Sequence, residues 1–181
     1  RCEKLTTLSQ LGELPALTHL RVDNAPELND VDALKGMAAL ESAELISLPK
    51  ISTLPALGGK SFLTELTLDL PAFNTISDFK ALPQLKTLSL TCPMLSDLTP
   101  LSSLPSLKTL TVFGSGSSRN HHYPSVLKFW DHPTIKTIKV LRSSQLLTLD
   151  VANMPELTVM KIEGKALKTV RLHLLPVLRN L

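Results

Sequence analysis

Apolar residues recur along this chain in a six-position pattern, LxxLxL, which returns at nearly constant intervals. It reads LTHLRV from Leu17, LESAEL from Leu40 with alanine at the middle position, and LTELTL from Leu63. It continues as LKTLSL from Leu85, LKTLTV from Leu107 and IKTIKV from Ile135, and the first four intervals are 23, 23, 22 and 22 residues. Within each block the apolar residues spaced by two predict a short strand with one buried face. In the cleanest unit the apolar positions run on through Leu95, Leu98, Leu101 and Leu104 before the next unit opens at Leu107. A spacing of three keeps every third side chain on one line, which suits a 3₁₀ or extended return segment and not a long α-helix. Each unit therefore predicts one coil: strand, turn, short return. A single coil cannot bury its own leucines, but stacked coils share a continuous apolar column.

Proline placement fits the same register. Pro26, Pro49, Pro71 and Pro93 fall just after the strands, and Pro15, Pro83 and Pro105 fall two residues before the next strand block. Proline lacks the N–H a ladder needs, so these flanking sites bound the strands on both sides. Aromatics make up only 4% of the chain. The core must then be filled by leucine, isoleucine and valine.

The residues Leu85, Leu88, Leu90, Leu95, Leu98, Leu101 and Leu104 resemble the leucine-rich-repeat family, and the 22-residue spacing looks most like the short-repeat class of bacterial internalins and a eukaryotic phosphatase-regulating subunit. The resemblance covers residues 5–112 closely and the rest loosely. It implies an α/β or mainly β solenoid, a horseshoe or arc with short concave parallel strands and 3₁₀ or extended returns. One departure stands out. The family usually places asparagine three residues after the strand's last leucine, where this chain has Ala25, Leu48, Pro71, Pro93 and Ser115. The family serves as receptors, adhesins, nuclear adaptors and ligase subunits alike, so the resemblance bears on fold more than on function.

Residues 1–181 read as one solenoid with two irregular parts. Leu5, Leu8, Leu11, Leu14 and Leu17 superpose on Leu95, Leu98, Leu101, Leu104 and Leu107, so the chain opens inside a return segment. Leu178 and Leu181 match the first half of a further strand block, and the expectation is a fragment cut within repeats at both ends. From Leu107 to Ile135 the interval widens to 28 residues, which predicts an insertion over 113–134 with a Gly/Ser-rich tip and a short helix starting at Pro124 and running through Val126, Leu127 and Trp130. Two readings of the insertion stand side by side. His121, His122, Tyr123, Phe129 and Trp130 are contact residues, or Phe129 and Trp130 fold back to cover the coil. Beyond Ile135 the blocks open at Leu146, Leu157, Leu167 and Leu178, half a coil apart. Either the return segment has also become a strand in these tighter half-coil repeats over 135–181, or the concave sheet shifts onto Leu146 and Leu167.

In the leucine-rich-repeat arrangement the x positions beside the middle leucine point outward. One such row is Arg21, Glu44, Thr67, Ser89, Thr111 and Lys139, and the other is His19, Ser42, Glu65, Thr87, Thr109 and Thr137. Charge is unevenly spread. Residues 1–90 carry 8 Lys/Arg against 11 Asp/Glu, and residues 91–181 carry 11 against 5. The acidic end holds Asp23, Glu41, Glu44, Glu65 and Asp69, while Lys86, Lys108, Lys136 and Lys139 line the later coils. The candidate binding residues are therefore Arg21, Glu44, Glu65, Lys86, Lys108, Lys136 and Lys139, with Tyr123 and Trp130 from the insertion. These charges either keep the face soluble or form a dipolar docking surface.

The pattern predicts a protein-recognition module with no catalytic role and no cofactor. None of the GxSxG, GxxxxGK[ST], HExxH or DxDxDG arrangements is present. A metal site from His121, His122 and His132 is disfavoured because adjacent strand histidines point to opposite faces and no cysteine is near. Cys2 and Cys92 superpose in the repeat alignment, four coils and thus roughly 19 Å apart, beyond disulfide reach. Two unbridged cysteines make an intracellular address the expectation. No run of 18 apolar residues is long enough to cross a membrane as a helix. Two alternatives carry different partners: an extracellular adhesin or receptor ectodomain, implied by the internalin-like spacing, and a nucleic-acid-associated scaffold that uses the basic second half.

Overall fold

In each LxxLxL block the strand begins two residues after the first apolar position. The first position turns into the core ahead of the strand, and Leu40, Leu63, Leu85, Leu107 and Ile135 are all wholly buried there. The structure is a computed structural model that describes residues 3–54, 57, 60–76, 79, 82–114 and 124–181. Its strands are β1 (His19–Asp23), β2 (Ser42–Ile46), β3 (Glu65–Asp69), β4 (Thr87–Thr91) and β5 (Thr109–Phe113). They continue as β6 (Val126–Trp130), β7 (Thr137–Leu141), β8 (Thr148–Ala152), β9 (Val159–Ile162) and β10 (Thr169–His173).

All pairings between these strands are parallel, and the strands form two sheets. A seven-stranded sheet has the order β1-β2-β3-β4-β5-β7-β9, and a three-stranded sheet has the order β10-β8-β6. Before β5, three of the returns carry 3₁₀ turns among the described residues: Ser9–Leu11, Asp32–Gly36 and Thr99–Ser103. The carboxylates of Asp30 and Asp97 accept the backbone N–H groups of Asp32 and Thr99 at 2.7 and 2.9 Å, which fixes where two of these turns start. From β6 onward the strands of the two sheets alternate along the chain. The account in which the return segment itself becomes a strand is the one observed, and the sheet does not shift onto Leu146 and Leu167.

One expectation is overturned. Val126–Trp130 is strand β6, not a helix, and pairs along its whole length with β8 in the register Leu127↔Leu149, Phe129↔Val151 and Trp130↔Ala152. Leu127 and Phe129 point into the core at 4% and 2% exposure, while Val126 and Lys128 are exposed. This alternation by two is that of a strand. On its other side β6 bonds to the preceding return, with Leu98 N–H donating to the Lys128 carbonyl at 2.9 Å and Lys128 N–H to the Ser96 carbonyl at 3.1 Å. Burying two more apolar side chains and closing this ladder outweigh the helix start that Pro124 suggested. The Gly/Ser-rich tip, with His121, His122 and Tyr123, lies outside the described residues, as does Cys2.

The spacing differences of the repeat have a backbone cause. After β1 and β2 the corner residue buried next is Ala25 and Leu48, three positions beyond the last inward strand residue. After β3 and β4 it is Leu70 and Cys92, only two positions beyond. The extra residue is Asn24 or Ser47, each in the left-handed region at φ 55°. Asp131, Arg142, Asn153 and Leu174 do the same after β6, β7, β8 and β10. Ala25 and Leu48 thus fill, as apolar plugs, the place where the family pattern would put asparagine. The corner after β5 is tight for another reason. A Cβ on Gly114 would sit 2.6 Å from the Ser143 Cα, so only glycine lets these neighbouring coils stack.

The core is a leucine-rich column that also takes in Phe73, Phe79 and Phe129, and among the described residues one lysine lies within it. Lys60 is only 2% exposed and occupies the return position filled by Met37, Leu82 and Leu104 in other coils. Its Nζ donates to the Lys35 carbonyl at 3.0 Å, and burial lowers its pKa below the ordinary lysine value. Lys60→Met is expected to stabilise the fold by about 1–3 kcal/mol, because it removes the cost of burying an ammonium while keeping the side-chain length. The advantage should shrink as the pH climbs through 10.5, above which the wild-type lysine is neutral in both states. Urea unfolding of the two proteins at neutral and alkaline pH measures it, and a less stable variant at neutral pH would refute it.

Candidate functional site

A parallel sheet with one-to-one register turns a sequence repeat into straight rows of side chains. On the seven-stranded sheet the register His19↔Ser42↔Glu65↔Thr87↔Thr109↔Thr137↔Val159 makes one outward row. Arg21↔Glu44↔Thr67↔Ser89↔Thr111↔Lys139↔Lys161 makes the second, in which Thr111 is sunk to 8% exposure. Both expected rows are therefore present, and the alternating partners Ala43, Leu45, Leu66, Leu68, Leu88, Leu90 and Leu110 are buried behind them. Threonine suits the middle of such rows because its β-branched side chain packs well against cross-strand neighbours.

A third row lies one residue ahead of the strands, on the rim where the chain enters the sheet. Here each backbone N–H bonds to the carbonyl of the same position one coil earlier: Glu41 to Thr18 at 2.8 Å, Thr64 to Glu41 at 2.8 Å and Lys86 to Thr64 at 2.8 Å. The ladder continues with Lys108 to Lys86 at 2.9 Å, Lys136 to Lys108 at 2.9 Å, Thr158 to Lys136 at 3.0 Å and Arg179 to Thr158 at 3.0 Å. Lys86, Lys108 and Lys136 are thus consecutive rungs, each exposed.

Each end of the face pairs some of its charges and leaves others, Glu41 and Glu65 among them, without an ion-pair partner among the described residues. At the acidic end Arg21 bonds both Glu44 and Asp23, and Lys50 pairs with Glu27 at 2.7 Å. At the basic end Lys161 pairs with Glu163 at 2.8 Å, and Lys136 reaches Glu156 at 3.7 Å. Among the described residues Lys86, Lys108 and Lys139 have no ion-pair partner. All these pairs are exposed and contribute little to stability. Their use is to show which charges the protein has already neutralised.

The insertion residues separate from this face. Trp130 is outward on the three-stranded sheet, half-buried, with the Lys128 ammonium 5.6 Å from its ring centroid. Phe129 is in the core, so the cover reading holds for it and the contact reading does not. The outward middle row of that sheet is Lys128↔Asp150↔Arg171, which alternates in sign. Among the described residues no group of three or more His, Cys, Asp or Glu is placed to hold a metal ion. Burial pushes the Cys92 thiol up to about 12, so it is an inert apolar filler at its corner.

His132 plays a part that neither a metal site nor a catalytic group with Asp131 and Ser125 describes. It is wholly buried at the corner after β6, at the position taken by Met154 one coil later. Its Nδ1 accepts the Thr134 N–H at 3.4 Å, the Phe129 ring centre lies 5.7 Å away, and Nε2 has no hydrogen-bond partner among the described residues. Burial, reinforced by the charge of Lys108, pulls its pKa down to about 4. The signal that could have found it is its alignment with Met154 and Leu175 in the corner register.

No family model matches the sequence, and no curated protein does. Among solved structures, an internalin (inlF) from Listeria monocytogenes str. 4b F2365 superposes with a TM-score of 0.51 at 17% identity, over 97% of this chain and 70% of that one. This is a leucine-rich-repeat fold. Internalin C2 of the same strain is also similar, with a TM-score of 0.48 at 20% identity over 87% of this chain and 81% of that one. In leucine-rich-repeat terms β1 to β5, β7 and β9 are the strands of the repeat's main sheet, and β6, β8 and β10 occupy the return side. At such identities the likeness speaks for the fold alone, so function has to be argued from this chain's own side chains.

Proposed function

We propose that this leucine-rich-repeat chain is a recognition module that holds a protein partner against the outer face of its seven-stranded sheet. The observation that carries this reading is the set of register-locked polar rows, acidic over β1 to β3 and basic from β4 onward, where Lys86, Lys108 and Lys139 have no ion-pair partner among the described residues. A face of this kind presents fixed, evenly spaced side chains without ordering any of the backbone on binding, so little conformational entropy is lost. Its sign change along the sheet fixes the orientation of a partner by complementarity and speeds encounter.

The nucleic-acid alternative gains less support. The row Lys128, Asp150 and Arg171 carries an acid between two bases, Phe129 is buried, and the Trp130 ring is already occupied by Lys128, which leaves that sheet without an open stacking platform. A photo-crosslinking side chain placed at Ser89 or Thr109, and in parallel at Thr148 or Asp150, tests the reading directly. Crosslinks to a protease-sensitive partner should form from Ser89 and Thr109 and be absent from Thr148 and Asp150. Products formed from the three-stranded sheet only, or products cut by nuclease and not by protease, would refute it.

A further inference from the structure

The rim ladder places three lysines on neighbouring rungs, Lys86, Lys108 and Lys136, in the sheet order β4-β5-β7. Rungs of a parallel sheet are about 4.8 Å apart, so the run spans roughly 10 Å. Like charges directly opposite one another on adjacent strands repel, and a sheet gains nothing by stacking them. Solubility would be served as well by mixed signs, as on the row Lys128, Asp150 and Arg171 of the other sheet. Lys86 and Lys108 have no ion-pair partner among the described residues, and Glu156 meets Lys136 only at 3.7 Å. Arg21, by contrast, is held by two carboxylates on the acidic end of the same sheet.

We propose that the Lys86, Lys108 and Lys136 rim is a seat for a short acidic segment of a protein, laid across the strands with its carboxylates facing the three ammonium groups. The assignment rests on the recognition reading above and names the partner's chemistry. An extended peptide rises about 3.3 Å per residue, so three to four residues cover the rim. Glu41 stands two rungs beyond Lys86 on the same ladder, with Thr64 between them, and Glu44, Glu65 and Asp69 lie close by on β2 and β3. These acids close the seat on the β3 side and repel a longer polyanion. A nucleic acid draws its affinity from many successive phosphates, which a run this short cannot neutralise. The row beside the rim, Thr87, Thr109 and Thr137, supplies hydroxyls and no aromatic ring, so it offers hydrogen bonds to a carboxylate and no stacking surface to a base.

Fluorescein-labelled hexaglutamate is the probe, read by anisotropy against the whole chain at about 25 mM and about 250 mM NaCl. Three proteins are compared: the wild type, the rim variant Lys86→Gln/Lys108→Gln/Lys136→Gln, and the control Lys128→Gln/Lys165→Gln/Lys168→Gln, which removes the same charge elsewhere. The rim variant should bind about tenfold more weakly at low salt and lose most of the salt dependence, whereas the control stays within about twofold of the wild type. Because the rim lysines are exposed and repel one another, the rim variant should melt at or above the wild-type temperature, so weaker binding cannot be blamed on misfolding. No binding by the wild type at low salt, equal loss in rim variant and control, or equal affinity for a labelled hexauridylate would each overturn the proposal. If hexaglutamate fails while crosslinks still form from Ser89 and Thr109, the seat alone is wrong. If those crosslinks also fail, the recognition reading goes with it.

Discussion

Phe129→Ala should destabilise the protein by about 3–5 kcal/mol, the largest single-residue effect expected here, measured by urea or thermal unfolding. Phe129 is 2% exposed and sits in β6 with ladders on both sides, to the return at Ser96 and Leu98 and to β8. Truncating it removes packing against His132 and leaves a cavity where the three-stranded sheet begins. Phe129→Leu, which keeps most of the volume, should cost clearly less. Were residues 126–130 an exposed contact helix, Phe129→Ala would change stability by no more than about 0.5 kcal/mol. A melting curve that does not move would therefore remove β6 from the core.

The second large effect depends on pH. His132 is buried and neutral, with its pKa pulled down to about 4 from an ordinary value of 6.5. A pKa lowered by folding means that the unfolded chain binds the proton first as the pH drops. The stability associated with neutral His132 is thus fully present above pH 6.5 and is lost as the pH falls through 4. The whole shift corresponds to about 3 kcal/mol. His132→Met places at this corner the residue the next coil uses at Met154, and it should flatten the decline between those pH values by about that amount. The acidic groups of the chain titrate in both proteins, Asp30 among them, whose pKa is held low by the Asp32 N–H and Thr7. The comparison of variant with wild type cancels them. Parallel pH profiles for the two proteins would show that the imidazole is not protonated on unfolding in this range.

The repeat was legible because its signals are local. Leucines two and three residues apart report strand and return without reference to anything distant, and the rows Arg21 to Lys139 and His19 to Thr137 follow once the coil length is known. The partnership of Arg21 with Glu44 was implicit in the same row. β6 was harder to see for two reasons. Val126 and Trp130, both outward, flank the inward Leu127 and Phe129 and blur their alternation, and the strand's partner β8 lies a full coil later in the chain. Pro124 then mimicked a helix start.

Lys60 and His132 were missed for a different reason. A lysine and a histidine carry no local sign of burial, and only their place in a column of Met37, Leu82 and Leu104, or beside Met154, reveals it. The rim lysines were visible in the repeated LKTL and IKTI blocks, but their continuous hydrogen-bonded ladder was not. Which rungs carry unpaired charge depends on acids contributed by other coils, so that part of the site belongs to the three-dimensional arrangement.

The change of return segment at β6 has a consequence for the shape of the stack. An arc requires its outer side to be longer than its inner side, which 3₁₀ returns allow because they are not tied to the rung spacing of a sheet. Where both sides are hydrogen-bonded sheets, each side advances by the same step of about 4.8 Å per coil, and the stack runs straight. The first coils can therefore bend about a single ladder, whereas those from β6 onward are pinned along two and resist bending. Lys86, just ahead of β4, belongs to the part stacked on one sheet, and Lys136, just ahead of β7, to the part held by two, so the lysine rim crosses the point where the stack stiffens.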